Sequence, residues 1–176
     1  MNPNKCILVG DSKIGKSSLI ITYSIDIFPD VIPNVFGEYS KFIVYDEKTI
    51  NLEMWDSCAL EEYNRLRPIS YPFMDVFLIC FSVVDRNSYK RVKEKWYPEV
   101  HLKHSKTPII LVGTKTDLRN DDNIDDDQEC VTYSEGVEMA NQIGATNYYE
   151  CSALKKIGLE EIFNEVARLI VYPPKT

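Results

Sequence analysis

"GDSKIGKS", Gly10 to Ser17, is the stretch whose residue types and spacing promise chemistry most directly. It fits G-x-x-x-x-G-K-[ST] in full. Two glycines let a backbone wrap an anion, so the N–H groups of Ser12, Lys13, Ile14, Gly15, Lys16, Ser17 and Ser18 converge on a phosphate. A helix opening there adds the positive end of its dipole. Lys16 is then placed to reach the outer phosphates, and the Ser17 hydroxyl to bind Mg²⁺. The competing reading is a chance glycine-rich turn. "KCILV" before the motif reads as a buried strand and "LIITYSI" after it as a helix, which is the context that favours a phosphate loop.

A second polar cluster is "TKTD", Thr114 to Asp117, at the end of the apolar run "PIILVG". A carboxylate there can accept two hydrogen bonds, from guanine N1–H and its exocyclic amine. Adenine presents an acceptor at the same place and is repelled. Losing such a paired contact in a desolvated site costs several kcal/mol. The Lys115 stem is long enough to lie along a base plane. "CSAL" ends the next apolar stretch, where the Ala153 N–H can meet the guanine O6. The candidate base-site residues are thus Thr114, Lys115, Asp117, Leu118, Ser152, Ala153 and Leu154. Alone, "TKTD" reads as a solvated turn; downstream of a phosphate loop it reads as a guanine site.

The elements that must position these residues follow from periodicity. "YSKFIVYD" and "INLEMWD" alternate around "EKT" and predict a hairpin. "VFLICFSVV" is a continuous apolar run, as in a strand buried on both faces. "NSYKRVKEKWYPEV" and "SEGVEMANQIG" read as helices, the second closed by Gly144. "YYECSAL" is a last strand with its exit loop. Apolar residues at 159, 162, 163, 166, 169 and 170 define a final amphipathic helix. The expected fold is α/β: a six-stranded, mostly parallel sheet with one antiparallel edge strand and helices on both faces. Ligands in such folds sit beyond the carboxyl ends of the strands, where every motif above falls.

The 176 residues suit one domain, residues 1–176, with a core over 5–172. Apolar content of 44% and charged content of 27% are ordinary for a globular chain. A net charge of −7 argues against general nucleic-acid binding but leaves room for a local basic pocket. The five cysteines are scattered, without zinc spacing, which points to a reducing cytoplasmic setting. No apolar run reaches the ~20 residues that span a membrane. "VYPPKT" carries no cysteine for prenylation, so membrane attachment requires a longer, lipidated C-terminus. The acidic stretch "NDDNIDDDQE" lacks the glycine and final glutamate of a calcium loop and reads as solvated surface. His101 and His104 read as surface residues, Cys80 as core, Trp55 and Trp96 as packing, and Cys58 as an exposed but inert thiol.

Together "GDSKIGKSS", "FP", "PNVFGEYS", "MWDS", "EEYNRLRPISYP", "KWYPEV", "VGTKTDLR", "MANQIGA" and "ECSAL" resemble a small GTPase of the Ras superfamily, most of all the Rho family. The resemblance covers nearly all of residues 5–172. It implies a P-loop G domain that binds GTP or GDP with Mg²⁺. It also implies that Phe28 packs on the guanine, that Asp56 holds Mg²⁺ through water beside Ser17 and Asn34, and that two switch loops meet effectors and an exchange factor. Val35, Phe36, Tyr39, Tyr63, Leu66 and Arg67 are the implied effector residues, on a monomer in the cytoplasm or at the cytoplasmic face of the plasma membrane.

The departures from that family carry as much information. Ser12 stands where glycine is usual near the γ-phosphate, and a side chain there crowds both attacking water and an arginine finger, worth ~10³–10⁵ in rate. Leu60 replaces the glutamine that orients the water, and leucine cannot hydrogen-bond. Ala59 replaces a glycine and restricts its backbone. Asn34 replaces a Mg²⁺-closing threonine, in a loop one residue shorter than the family pattern. Residues 120–130 stand in place of a full Rho insert helix, and Gly37 replaces a polar effector residue. "DSCALEEY" thus reads as a second switch with its magnesium aspartate but without its hydrolytic groups. The Rnd branch of the Rho family is similar in both substitutions and stays GTP-bound. Slow hydrolysis is expected here, with a fully cycling GTPase helped by an activating protein as the alternative. A nucleotide kinase would leave "TKTD" and "CSAL" without purpose.

Overall fold

The computed structural model describes residues 4–32, 37–119 and 129–174, with Lys103 described by its backbone alone. Six strands form one sheet in the order β2-β3-β1-β4-β5-β6. They are β1 (Asn4–Val9), β2 (Gly37–Tyr45), β3 (Lys48–Asp56), β4 (Val76–Ser82), β5 (Ile109–Thr114) and β6 (Asn147–Glu150). Only β2 and β3 pair antiparallel; the remaining pairs are parallel. All seven residues of β4 and all six of β5 are buried, which explains their unbroken apolar sequence. On the edge strand β2, outward Phe42 and Val44 alternate with inward Ile43.

Helices α1 (Lys16–Ile25) and α5 (Leu159–Val171) cover one face, through Leu19, Ile20, Tyr23, Ile162, Phe163 and Val166. Helices α2 (Arg86–Arg91), α3 (Tyr97–His104) and α4 (Tyr133–Ile143), with the segment Val92–Trp96 that joins α2 to α3, cover the other, through Val92, Trp96, Val100, Met139 and Ile143. Among the described residues no helix is long and apolar enough to cross a membrane. The chain leaves β1 with neighbours on both sides, β3 and β4, which makes the end of β1 a topological switch point. That point is where the phosphate motif begins.

Three local expectations need correction. The hairpin turn is Asp46–Glu47, both left-handed (φ 48° and 61°), rather than "EKT"; Lys48 and Thr49 already pair in β3. Two positive-φ residues are what a two-residue hairpin turn requires. The helix expected over "NSYKRVKEKWYPEV" is interrupted: Val92–Trp96 winds as a π-helix between α2 and α3, and the Tyr97 N–H bonds back to the Val92 carbonyl. Pro98 has no N–H for an i−4 bond, and widening the turn ahead of it removes the clash with the preceding carbonyl. Cys58 is buried rather than exposed. The acidic stretch 120–128 lies outside the described residues.

Candidate nucleotide-binding site

The phosphate loop connects β1 to α1 through two backbone conformations that side chains rarely adopt. Gly10 has φ 151°, and a Cβ there would stand 2.3 Å from the Cys80 carbonyl oxygen. Gly15 has φ 104° and caps α1. None of the backbone N–H groups from Ser12 to Ser18 donates to a described protein acceptor. A run of free N–H groups at a helix start is a cradle for an anion.

Lys16 is buried at 6% exposure, and its ammonium donates to the carbonyls of Gly10 (2.9 Å) and Asp11 (2.6 Å). Burial lowers its pKa, with Asp56 opposing. A buried ammonium held by neutral carbonyls is strongly favoured by a nearby anion. The adjoining cavity, about 340 Å³, is lined by Lys13, Gly15, Lys16, Ser17, Ser18, Ile32 and Lys115.

Asp56 ends β3 and is 4% exposed. The Ser17 hydroxyl donates to its Oδ2, while Oδ1 is buried without a partner. Burial raises the Asp56 pKa against the pull of Ser17 and Lys16. A hydroxyl and an unsatisfied carboxylate oxygen together are hard donors that fit Mg²⁺. Among the described residues no three His, Cys, Asp or Glu side chains gather into a protein-only cage. Mg²⁺ sites usually need only one or two carboxylates, with phosphates and water completing the octahedron. Asn34 lies outside the described residues, as do Val35 and Phe36.

A second cavity of about 210 Å³ opens beside the first, sharing Gly15, Ser18 and Lys115 with it. Phe28, Lys115, Asp117, Leu118, Cys151, Ala153 and Leu154 line it. The Ser152 hydroxyl donates to Asp117 Oδ1 at 2.5 Å and accepts from the Lys155 N–H at 3.1 Å. That fixes the carboxylate and leaves Oδ2 for a ligand. The Ala153 N–H has no acceptor among the described residues. Lys115 is left-handed (φ 62°) and its ammonium donates to the Lys13 carbonyl at 2.6 Å, so its stem forms a wall of the cavity. Apolar walls with one oriented carboxylate and one free N–H are the donor set that a guanine edge requires.

Residues 5–172 match the Ras family. The chain belongs to the Ras family. Ras-family GTPases bind guanine nucleotide and typically Mg²⁺, and the two cavities and the Ser17–Asp56 pair fit those groups. When bound, Mg²⁺ neutralises phosphate charge and holds the outer phosphates in place.

Thr114 lines the base cavity and also has a structural task. Its hydroxyl lies against the carbonyls of Ile14 and Phe81, so it ties β5 to the phosphate loop. Tyr63 and Leu66 are exposed at 40% and 57%, as a contact surface requires. Tyr39 is half-buried against the core. Arg67 departs from expectation: its side chain is 1% exposed. It donates to both Glu99 oxygens at 2.9 Å, to the Cys58 carbonyl at 2.7 Å and to Asn64 Oδ1 at 2.8 Å. Asn64, Arg65 and Leu66 before it are exposed, but the guanidinium can be buried because Glu99, Asn64 and the Cys58 carbonyl offer its donors acceptors.

Asp11 is a site residue that motif reasoning passes over. Its Oδ1 accepts from Arg91 Nε (2.9 Å) and Trp96 Nε1 (2.8 Å), anchoring the phosphate loop to α2 and the π-turn. Partners 80 and 85 positions away leave no local signal. Lys156 likewise donates to the Asp26 carbonyl and carboxylate, tying the base loop to the end of α1.

Proposed function

We propose that this Ras-family domain is Rho-like and acts mainly as a long-lived GTP-loaded ligand for effectors in cytoskeletal or membrane signalling. The observation that carries the reading is the pair Ser12 and Leu60. Ser12 is exposed on the phosphate loop beside Lys13, and Leu60 is half-buried where the 3₁₀ turn Glu61–Tyr63 begins. One side chain crowds the space for water and for an activating protein's arginine; the other has no hydrogen bond to give. Binding parts and hydrolytic parts therefore diverge: Lys16, Ser17, Asp56 and Asp117 have the expected types, while the catalytic groups do not. Tyr63, Leu66, Ile69 (65% exposed) and Phe73 (67%) are exposed along the segment that follows Leu60, which supports effector docking there. An exchange factor loads the nucleotide, and the protein works in the cytoplasm or, with a lipidated C-terminus, at the plasma membrane.

Single-turnover hydrolysis of preloaded GTP tests this, comparing wild type with Leu60→Gln and Ser12→Gly/Leu60→Gln. Wild type is expected to be nearly inert and the double variant to regain at least about tenfold, the scale of one hydrogen bond of ~1.4 kcal/mol made in the transition state. A wild-type rate equal to that of the double variant returns the protein to the cycling GTPases.

A further inference from the structure

Three lysines line the phosphate cavity, and two of them are committed elsewhere. Lys16 is held by the Gly10 and Asp11 carbonyls, and Lys115 by the Lys13 carbonyl. Lys13 is the third. It is exposed, and among the described residues its ammonium forms neither an ion pair nor a hydrogen bond. Its backbone is left-handed, at φ 61°. Glycine, asparagine and aspartate adopt that conformation most readily, so lysine has no local conformational advantage there. A non-glycine residue kept in a sparsely populated region beside a ligand cavity points to a task for its side chain.

Resting on the guanine-nucleotide reading of this site, we propose that Lys13 is a second phosphate-binding cation. Its ammonium approaches the terminal phosphates from the solvent side, opposite the buried Lys16, and slows nucleotide escape. The effect is larger for a triphosphate, which carries more negative charge. A net charge of −7 makes a local cation more valuable, since the protein's overall field repels a polyanion. Lys13 also sits immediately after Ser12. The chain thus combines a residue that slows loss of the γ-phosphate by hydrolysis with one that slows loss of the whole nucleotide. Both prolong the GTP-bound state.

The test is release of a fluorescent, non-hydrolysable GTP analogue and of fluorescent GDP from wild type, Lys13→Gln and Lys13→Arg, with Mg²⁺, at low and high salt. Lys13→Gln should release the triphosphate about tenfold faster, the scale of one charge-assisted hydrogen bond. The change for GDP should be smaller, Lys13→Arg should behave as wild type, and the salt dependence of Lys13→Gln should be shallower. Release from Lys13→Gln at the wild-type rate, or release from Lys13→Arg as fast as from Lys13→Gln, overturns the inference while leaving guanine-nucleotide binding intact. A lowered melting temperature of nucleotide-free Lys13→Gln assigns the effect to the backbone and overturns it too. A wild type that holds neither nucleotide overturns both readings.

Discussion

Replacing Arg67 by methionine should be among the most damaging single changes outside the phosphate loop. Methionine keeps much of the stem's packing and removes the guanidinium. Glu99, 16% exposed, then keeps only the Tyr71 hydroxyl (2.5 Å), and the Cys58 carbonyl loses its donor. The Trp96 ring, 4.8 Å from the guanidinium carbon, loses its cation as well. Stranding one partner of a buried ion pair costs about 3–5 kcal/mol. For a domain of this size 1 kcal/mol moves the melting temperature by ~2–4 °C, so the expected drop is about 6–20 °C. Thermal unfolding of the nucleotide-free protein, followed by circular dichroism, reads it directly. Removing the stranded charge too, as Arg67→Met/Glu99→Leu/Tyr71→Phe, should restore a large part of the loss, because apolar replacement of a whole buried pair is often neutral. An Arg67→Met variant that melts within about 2 °C of wild type, below the smallest shift expected here, refutes the reasoning. So does a triple variant no more stable than the single one.

Two further changes probe the base cavity and the pH response. Ser152→Ala frees Asp117 from its orienting hydroxyl and should weaken GDP binding about tenfold with little change in melting temperature, as one hydrogen bond to a charged group implies. Isothermal titration measures it, and unchanged affinity would mean that Asp117 needs no support from Ser152. Glu135 closes the capping box of α4 with Thr132 and pairs with Arg86, which holds its pKa at about 2 against an ordinary 4.5. A depressed carboxylate stabilises the fold above its unfolded pKa, and the contribution drains away as pH falls from 4.5 towards 2. The melting-temperature gap between wild type and Glu135→Gln should therefore narrow across that window; a constant gap contradicts the assignment.

The parts legible in the sequence were those set by local rules. The strands β4 and β5 show as unbroken apolar runs because both of their faces are covered. The phosphate loop shows because glycines at fixed spacing are a backbone requirement at Gly10 and Gly15. Gly144 ends α4 in the left-handed conformation that its position after the apolar periodicity suggests. What stayed hidden depends on residues far apart in the chain. Arg67 looks like surface because nothing nearby announces Glu99, 32 positions on. Thr114 reads as part of the base site, but nothing local announces that its hydroxyl also meets Ile14, 100 positions away. The π-turn at Val92–Trp96 was hidden for another reason: an amphipathic pattern tolerates one inserted residue, and only Pro98 hinted that the bonding had to change.

Trp96 links the two positions on which the proposed slow hydrolysis rests. Its indole N–H holds Asp11, one residue before Ser12, and its ring lies under the Arg67 guanidinium, which in turn holds the Cys58 carbonyl, two residues before Leu60. The two substituted positions therefore hang from one side chain through buried polar contacts. Such contacts are costly to leave half-made. Loss of either partner would orphan a polar group and destabilise the fold. Here each partner is present: Asp11 has two donors, and the Arg67 guanidinium has three acceptor residues. The contacts that hold the segments carrying Ser12 and Leu60 are therefore complete, as a long-lived nucleotide-loaded form of the proposed kind requires.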